Sequence, residues 1–277
     1  MIKPFSFSKI NTYKLCPQKY KINYIDRVYK KCESIEAFMG KRVHEVIEWT
    51  YLSKDQLGDF CTVDSLLNQY NLIWDNKWHD NIYLAQQKYT IVKKNNRKFK
   101  HYISLDRNKQ IFKDIGAQCL VNFYKRYIKG FSENTIGVEL RYTVNINGQK
   151  FNCIIDRLDK KDDGTYIIYD YKTSKNTISF PKANNDLQLS LYQLAVESFH
   201  RDCKKVVLKW YYLRTDQIVT VQHQKEKIDK LKNKIIDLTL KIKSDKEFEA
   251  KKSLLCNWCY FWDECEVMST INPAKKF

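Results

Sequence analysis

Residues 139–172 constrain this chain most. Glu139 to Ile146 alternates apolar and polar residues and ends at Asn147-Gly148, a pair suited to the two-residue hairpin whose central residues need positive φ. Lys150 to Asp159 then reads as a returning strand, Asp162-Asp163-Gly164 as a turn, and Tyr166 to Lys172 as a third strand. Side chains alternate across a strand, so Asp170 and Lys172 leave by one face, the face of Tyr166 and Ile168. Asp156 stands on the preceding strand. Neighbouring strands about 4.8 Å apart would let both carboxylates approach one point. Hard divalent cations bind carboxylate oxygens and lower the pKa of water, and a lysine adds a compact charge beside a phosphate ester. Asp-x-Lys by itself is weak, because a chain with 49 Lys and Arg produces it by chance on solvated strands.

The rest of the pattern surrounds that meander with helices. Ser8 can cap a helix to about Tyr24 with Ile10, Tyr13, Cys16 and Tyr20 on one stripe. A second helix runs from about Glu36 to Leu52, its apolar face made of Val43, Val46, Ile47 and Tyr51, with His44 and Glu48 four apart. Asp64 to Phe131 is expected to be mostly helical. Within it, Lys88 to Lys113 carries nine Lys or Arg and one acid, Asp106, interleaved with Tyr89, Phe99 and Tyr102. That segment is a candidate lip for a nucleic-acid groove, or simply a solvated face. Leu187 to Phe199 reads as a helix with Gln188 and Tyr192 one turn apart, Val206 to Arg214 and Ile218 to His223 as strands, and Lys225 to about Lys252 as a lysine-rich helix. The fold class is α/β, a mixed sheet flanked by helices. One domain spans 1–277, with a mostly helical part at 1–131, a sheet core at 132–223, and the lysine-rich helix and cysteines at 224–277.

A formal charge of +17 makes a polyanion the natural partner, since each neutralised phosphate releases counterions. Seven Gly and four Pro argue against low-complexity linkers. No run of roughly 20 apolar residues and no signal-like start appear, so an intracellular protein without membrane association is expected. No Gly-x-x-x-x-Gly-Lys-Ser/Thr motif occurs, so any strand-separating motor must be a partner.

Cys256, Cys259 and Cys265 place three thiols at short spacing, fit for a metal centre whose fourth ligand lies elsewhere in the chain. Zinc and an iron-sulfur cluster both accept four thiolates, and spacing alone does not separate them. Cys32, Cys61, Cys119, Cys153 and Cys203 have no close cysteine neighbours and read as small hydrophobes.

Several stretches, in order along nearly the whole chain, resemble the PD-(D/E)XK superfamily and within it the RecB-type exonucleases, which include the nuclease domains of AddB proteins and of CRISPR adaptation. They are Phe5 to Ile10 with Tyr13 and Cys16-Pro17; Gly40 to His44; Ile155 to Asp159; Asp170 to Thr173; Gln188 with Tyr192; and the terminal cysteines. The resemblance implies a restriction-endonuclease-like fold with an iron-sulfur-bound C-terminus. It implies Mg²⁺ or Mn²⁺ at His44, Asp156 and Asp170, with Lys172 orienting water and countering phosphate charge; Glu139 is a weaker fourth candidate beside them. It further implies that Gln188 and Tyr192 contact DNA or support Lys172, and that Cys16, Cys256, Cys259 and Cys265 hold a [4Fe-4S] cluster joining the chain ends. The implied substrate is single-stranded DNA or DNA ends, cleaved in recombination, repair or CRISPR adaptation, with a helicase or adaptation protein as a possible partner. The alternative is a non-catalytic nucleic-acid-binding scaffold or accessory subunit. In one place the sequence departs from the family: Cys153 stands where a small residue, usually glycine, lies three before the first aspartate, and a side chain there is expected to narrow the approach to DNA.

Overall fold

The structure is a computed structural model that describes residues 4–57, 61–85, 89–94, 97–131, 134–268 and 275–276. In chain order it contains β1 (Phe5–Ser6), α1 (Phe7–Leu15), α2 (Pro17–Tyr20), β2 (Glu33–Ser34), α3 (Ile35–Leu57), α4 (Val63–Lys77), β3 (Ile82–Leu84), β4 (Tyr89–Lys94), β5 (Arg97–Tyr102) and α5 (Leu105–Arg126). Then follow β6 (Thr135–Ile146), β7 (Gln149–Lys160), β8 (Thr165–Lys172), α6 (Phe180–Ala183), α7 (Leu187–Phe199), β9 (Lys205–Tyr212), β10 (Gln217–Val221), α8 (Lys225–Ser244) and β11 (Lys275–Lys276).

The main sheet is built on β7. β6 pairs with it antiparallel along its length, from Ile146 with Gln149 to Thr135 with Asp159, through a turn in which Asn147 and Gly148 have φ of 48° and 79°. The opposite edge of β7 is shared by two strands. β8 pairs antiparallel with Arg157 to Lys160, and β1 pairs parallel with Phe151 and Asn152. Between those two partners neither strand pairs with residues 153–156. Beyond β8 the sheet continues through parallel β9 to antiparallel β10.

A core lies on each face of the sheet. On one, Cys153, Ile155, Leu158, Tyr166 and Ile168 meet α7, α1 and α8, through Leu191, Val196, Ile10 and Leu231 among others. On the other, Tyr171 and Tyr211 meet α3, α4 and α5 through Val43, Val46, Trp74, Leu120 and Phe123. Each fully buried aliphatic or aromatic side chain contributes about 1.5–3 kcal/mol, so both helical layers are held firmly against the strands.

Several boundaries differ from the expected ones, some for a clear local reason. The first helix is capped by Ser6, whose hydroxyl accepts from Lys9 N at 3.3 Å, and it stops at Cys16. Cys16 is extended, at φ −159° and ψ 109°, because a following proline disfavours the helical conformation. The segment expected to be mostly helical contains the β4–β5 hairpin, in which Tyr89-Thr90-Ile91-Val92 supplies strand-forming residues and every position from Tyr89 to Lys94 pairs with β5. Of the basic segment, Lys88 lies outside the described residues. The lysine-rich helix ends at Ser244 rather than near 252, since the Asp245 side chain accepts the N–H groups of Glu247 and Phe248, both at 3.0 Å, and turns the chain.

Among the described residues no helix is long and apolar enough to cross a membrane.

Candidate metal and hydrolytic site

The site forms where β7, still paired with β6, has no partner on its other edge. The last β7–β8 pair is Arg157 with Tyr169; one step further the register would set Asp156 opposite Asp170. There the strands separate. The Asp156 carboxylate, not its backbone, accepts the Tyr171 N–H, at 2.7 Å. The side-chain alternation of β7 shifts phase at this point: Phe151, Cys153 and Ile155 face the α7 core and so does Leu158, whereas Arg157 and Asp159 turn to the other face. Asp156 stands at the break, its carboxylate on the Tyr171 N–H and within electrostatic reach of Asp170.

From the α3 layer His44 reaches the same gap. Its Nδ1 is 3.8 Å from Asp156 Oδ2 and 3.8 Å from Glu139 Oε1, and its Nε2 is 3.2 Å from the Tyr171 carbonyl. One turn earlier, a Cβ on Gly40 would meet Thr173 Oγ1 at 3.4 Å, so the helix passes the end of β8 at contact distance. Glu139 sits on β6 between the pairs Val138 with Arg157 and Leu140 with Ile155, which brackets it with Asp156 across the ladder. Its φ is 48°, a left-handed conformation costly for a non-glycine residue inside a strand. Ligand atoms of His44, Glu139 and Asp156 all lie within 4.8 Å of one another.

Asp170 is 2 % exposed and held from two sides. Lys172 Nζ is 2.6 Å from its Oδ2, and Gln188 Nε2 donates to its Oδ1 at 3.1 Å. Gln188 Nε2 also donates to the Tyr192 hydroxyl at 3.0 Å, while its Oε1 accepts from Lys172 at 3.4 Å. The one-turn spacing of Gln188 and Tyr192 thus brings both to the Asp170–Lys172 pair.

Electrostatics follow from burial and crowding. Burial pushes the Asp156 carboxyl up to about 7, with His44 opposing and Asp170 and Glu139 adding to the rise. Burial alone would depress His44, but the carboxylates of Asp156, Glu139 and Asp170 outweigh it and raise the imidazole to about 9. Burial likewise works against the Lys172 charge, and Asp170 holds its pKa above the ordinary lysine value. A pocket that draws a proton onto histidine this strongly is one that a cation can occupy instead.

Of the expected ligands, His44 and Asp156 come together with Glu139, and Asp170 stands beside them in an ion pair with Lys172. Asp186 was not anticipated. It caps α7 by accepting from Leu189 N at 2.9 Å, is charge-coupled to Asp170 and Lys172, and has its carboxyl pKa raised chiefly by burial. The Asp-x-x-Leu cap before the Gln188 helix was the available signal. Cys153 departs from expectation: it is buried, its thiol directed at the Leu191 carbonyl under α7, so it narrows no approach to the site.

The second cluster is at the chain ends. Cys16, Cys256, Cys259 and Cys265 line one cavity with Gln18, Lys19, Phe261 and Trp262. Cys265 Sγ donates to Gln18 Oε1 at 3.1 Å, and the N–H groups of Lys251 and Ser253 donate to Cys16 Sγ and Cys256 Sγ, each at 3.4 Å. Burial raises the Cys259 thiol, with Lys19 opposing.

Residues 4–266 match the family model of the PD-(D/E)XK nuclease superfamily. The chain belongs to that superfamily. Nucleases of this superfamily use divalent metals, and the His44, Glu139 and Asp156 group could bind one. Among solved structures, the chain is similar to a provisionally named exonuclease from Eubacterium rectale, at 11% identity and a TM-score of 0.49, over 93% of this chain and 86% of that one. It is also similar to the protein SSO0001, at 15% identity and a TM-score of 0.37, over 59% of this chain and 80% of that one. No curated protein matches the sequence.

Proposed function

We propose that this superfamily member is a metal-dependent deoxyribonuclease, an exonuclease of the RecB type acting on single-stranded DNA or DNA ends. The observation that carries the reading is the meeting of His44, Glu139 and Asp156 within 4.8 Å, beside the Asp170–Lys172 pair. A bound Mg²⁺ or Mn²⁺ would grip the scissile phosphate and make a water nucleophilic at neutral pH. His44, Asp156 and Asp170, with Glu139, are the groups proposed to hold it. Lys172 is proposed to release Asp170 and place its ammonium against charge that develops on the phosphate. Gln188 keeps both partners in position, and Tyr192 supports Gln188.

The family resemblance, together with the four cysteines lining one cavity, supports a [4Fe-4S] cluster at Cys16, Cys256, Cys259 and Cys265. The cavity they line encloses about 60 Å³, where one water needs about 10–15 Å³, so there is room for a group of several atoms. Its proposed role is structural. It would join segments separated by 240 residues, Cys16 and Cys256, and so fix α2 against the C-terminal turn.

Recombination, repair or CRISPR adaptation is the proposed setting, with a helicase or adaptation protein supplying strand separation. The test is a time course on end-labelled single-stranded DNA with Mg²⁺ or Mn²⁺, comparing wild type with Asp170→Ala. Release of mononucleotides by the wild type alone supports the reading. Binding without cleavage by a pure, metal-loaded wild type would favour a non-catalytic scaffold.

A further inference from the structure

The β4–β5 hairpin forms a sheet of its own, two antiparallel strands from Tyr89 opposite Tyr102 to Lys94 opposite Arg97. Residues directly opposite share a face, so Ile91 goes with Lys98, Lys100 and Tyr102 on one side, while Val92, Lys94 and His101 belong to the other. Among the described side chains both sides are exposed. Ile91 and Tyr102 are 53% and 54% exposed on the first face, Val92 is 47% exposed on the second, and Lys94, Lys98, Lys100 and His101 are exposed as well. A hairpin that covers a core buries one face. A two-stranded ribbon whose described side chains are exposed on both faces is only marginally stable in water, which makes contact with something else its natural use.

Charge says what that partner is. Between Asp80 and Asp106 the sequence holds six Lys or Arg and no Asp or Glu. A ribbon basic on one face would suit a single phosphate backbone lying across it. Basic residues on both faces suit insertion between two backbones. The major groove of duplex DNA is about 12 Å wide and about 8.5 Å deep and admits a two-stranded ribbon. Six residues of strand reach about 20 Å, more than the depth of the groove. The exposed Ile91 and Val92 can meet thymine methyl groups there.

The ribbon is flanked by ordered elements. It follows β3, which pairs with β2 and β11, and it leads into α5, whose cap Ser104 accepts from Arg107 N at 3.2 Å. The Asn108 side chain donates to the carbonyls of Ile103 and Ser104 at 3.0 and 2.9 Å, which fixes the direction in which the chain leaves the ribbon.

We propose that the β4–β5 ribbon enters the major groove of duplex DNA. Of the substrates proposed for the nuclease, an end still flanked by duplex is then preferred to a free single strand. The choice of substrate rests on the nuclease reading, whereas the groove contact does not.

The test measures binding in EDTA, so that no cleavage intervenes, to a blunt duplex and to a single strand of about 20 nucleotides, over a series of salt concentrations. The K94E/K98E/K100E variant is compared with K230E/K234E/K241E, the same charge change on exposed positions of α8. The ribbon variant should lose at least about tenfold in duplex affinity, its log–log salt slope falling by about 3, with a smaller loss on single strands. K94Q/K98Q/K100Q, which adds no repulsion, should reduce the slope in the same direction. Equal losses from the ribbon and α8 variants, equal losses on duplex and single strand, or unchanged duplex binding would each overturn the proposal. Ribbon-dependent duplex binding by a wild type that hydrolyses no DNA with Mg²⁺ or Mn²⁺ would retain the groove contact and remove the nuclease reading.

Discussion

The Tyr171 backbone N–H points at the Asp156 carboxylate, 2.7 Å away, at the place where β7 and β8 part. This bond ties the two strands that carry the acidic residues and sets Asp156 toward His44. Asp156→Asn keeps a group that can accept from Tyr171 but removes a charge from the proposed metal shell. We expect it to fold with a melting temperature at or above that of ion-free wild type, because a buried carboxylate is relieved, while Mn²⁺ binding falls by tenfold or more. Calorimetric titration with Mn²⁺ and a thermal melt check both parts.

Without divalent ions, His44 and Asp156 hold protons more tightly folded than unfolded, at about 9 against 6.5 and about 7 against 3.8. The favourable contribution of His44 is complete below pH 6.5 and is lost as pH climbs to about 9, and Asp156 adds an unfavourable contribution that grows between 3.8 and about 7. Stability of the ion-free protein should therefore decline from pH 4 to 9. Mn²⁺ affinity should move the opposite way, because ions displace these protons. Titration in two buffers of different protonation heat should find proton release at pH 6.5 that vanishes above about pH 9. Affinity independent of pH would contradict the arrangement.

Lys172→Ala should reduce hydrolysis by about 10²–10³-fold, the usual effect of removing one group that meets developing charge. It also strands Asp170, which is 2 % exposed. Because Lys172 keeps a third of its side chain in solvent, the stability cost should be about 1–2 kcal/mol, less than for a fully buried pair. The double variant with Asp170→Asn should regain the melting temperature and none of the activity.

Much of the sheet was legible because local rules and tertiary packing agree there. Asn147-Gly148 can only turn, and the alternation on either side fixes the register of β6 with β7. Asp170 and Lys172 fall on one face by strand geometry alone. The β4–β5 ribbon was not legible as strand, since its lysines and aromatics also fit a solvated helix and no buried face imposes a period of two. Glu139 looked secondary because its place beside His44 depends on a left-handed residue within β6, which no local pattern announces. The phase shift of β7 at Asp156 falls opposite left-handed Glu139, across which β6 shifts as well, Val138 facing one core and Leu140 the other.

Arg157 is fully buried and donates to Asp159 through Nε and Nη2, at 2.6 and 2.5 Å, and to the Tyr51 hydroxyl at 3.0 Å. Arg157→Met should cost about 3–5 kcal/mol in urea denaturation by leaving the buried Asp159 carboxylate without its cation, with the Thr135 hydroxyl as its remaining donor at 3.0 Å. Adding Asp159→Leu should recover most of that loss.

At the chain ends, anaerobically purified protein should be brown with broad visible absorbance, and Cys16→Ser or Cys259→Ser should bleach it. Colourless protein with one equivalent of zinc would replace the cluster by a mononuclear site.

The central claim is that Asp156, Asp170 and Lys172 work at one metal-supported centre. The most direct measurement is hydrolysis of end-labelled DNA by purified wild type, Asp156→Asn and Lys172→Ala, each with Mg²⁺ or Mn²⁺ and with EDTA. The account predicts cleavage by wild type with metal alone and none above background elsewhere. Equal cleavage by either variant, or undiminished cleavage in EDTA, would contradict it.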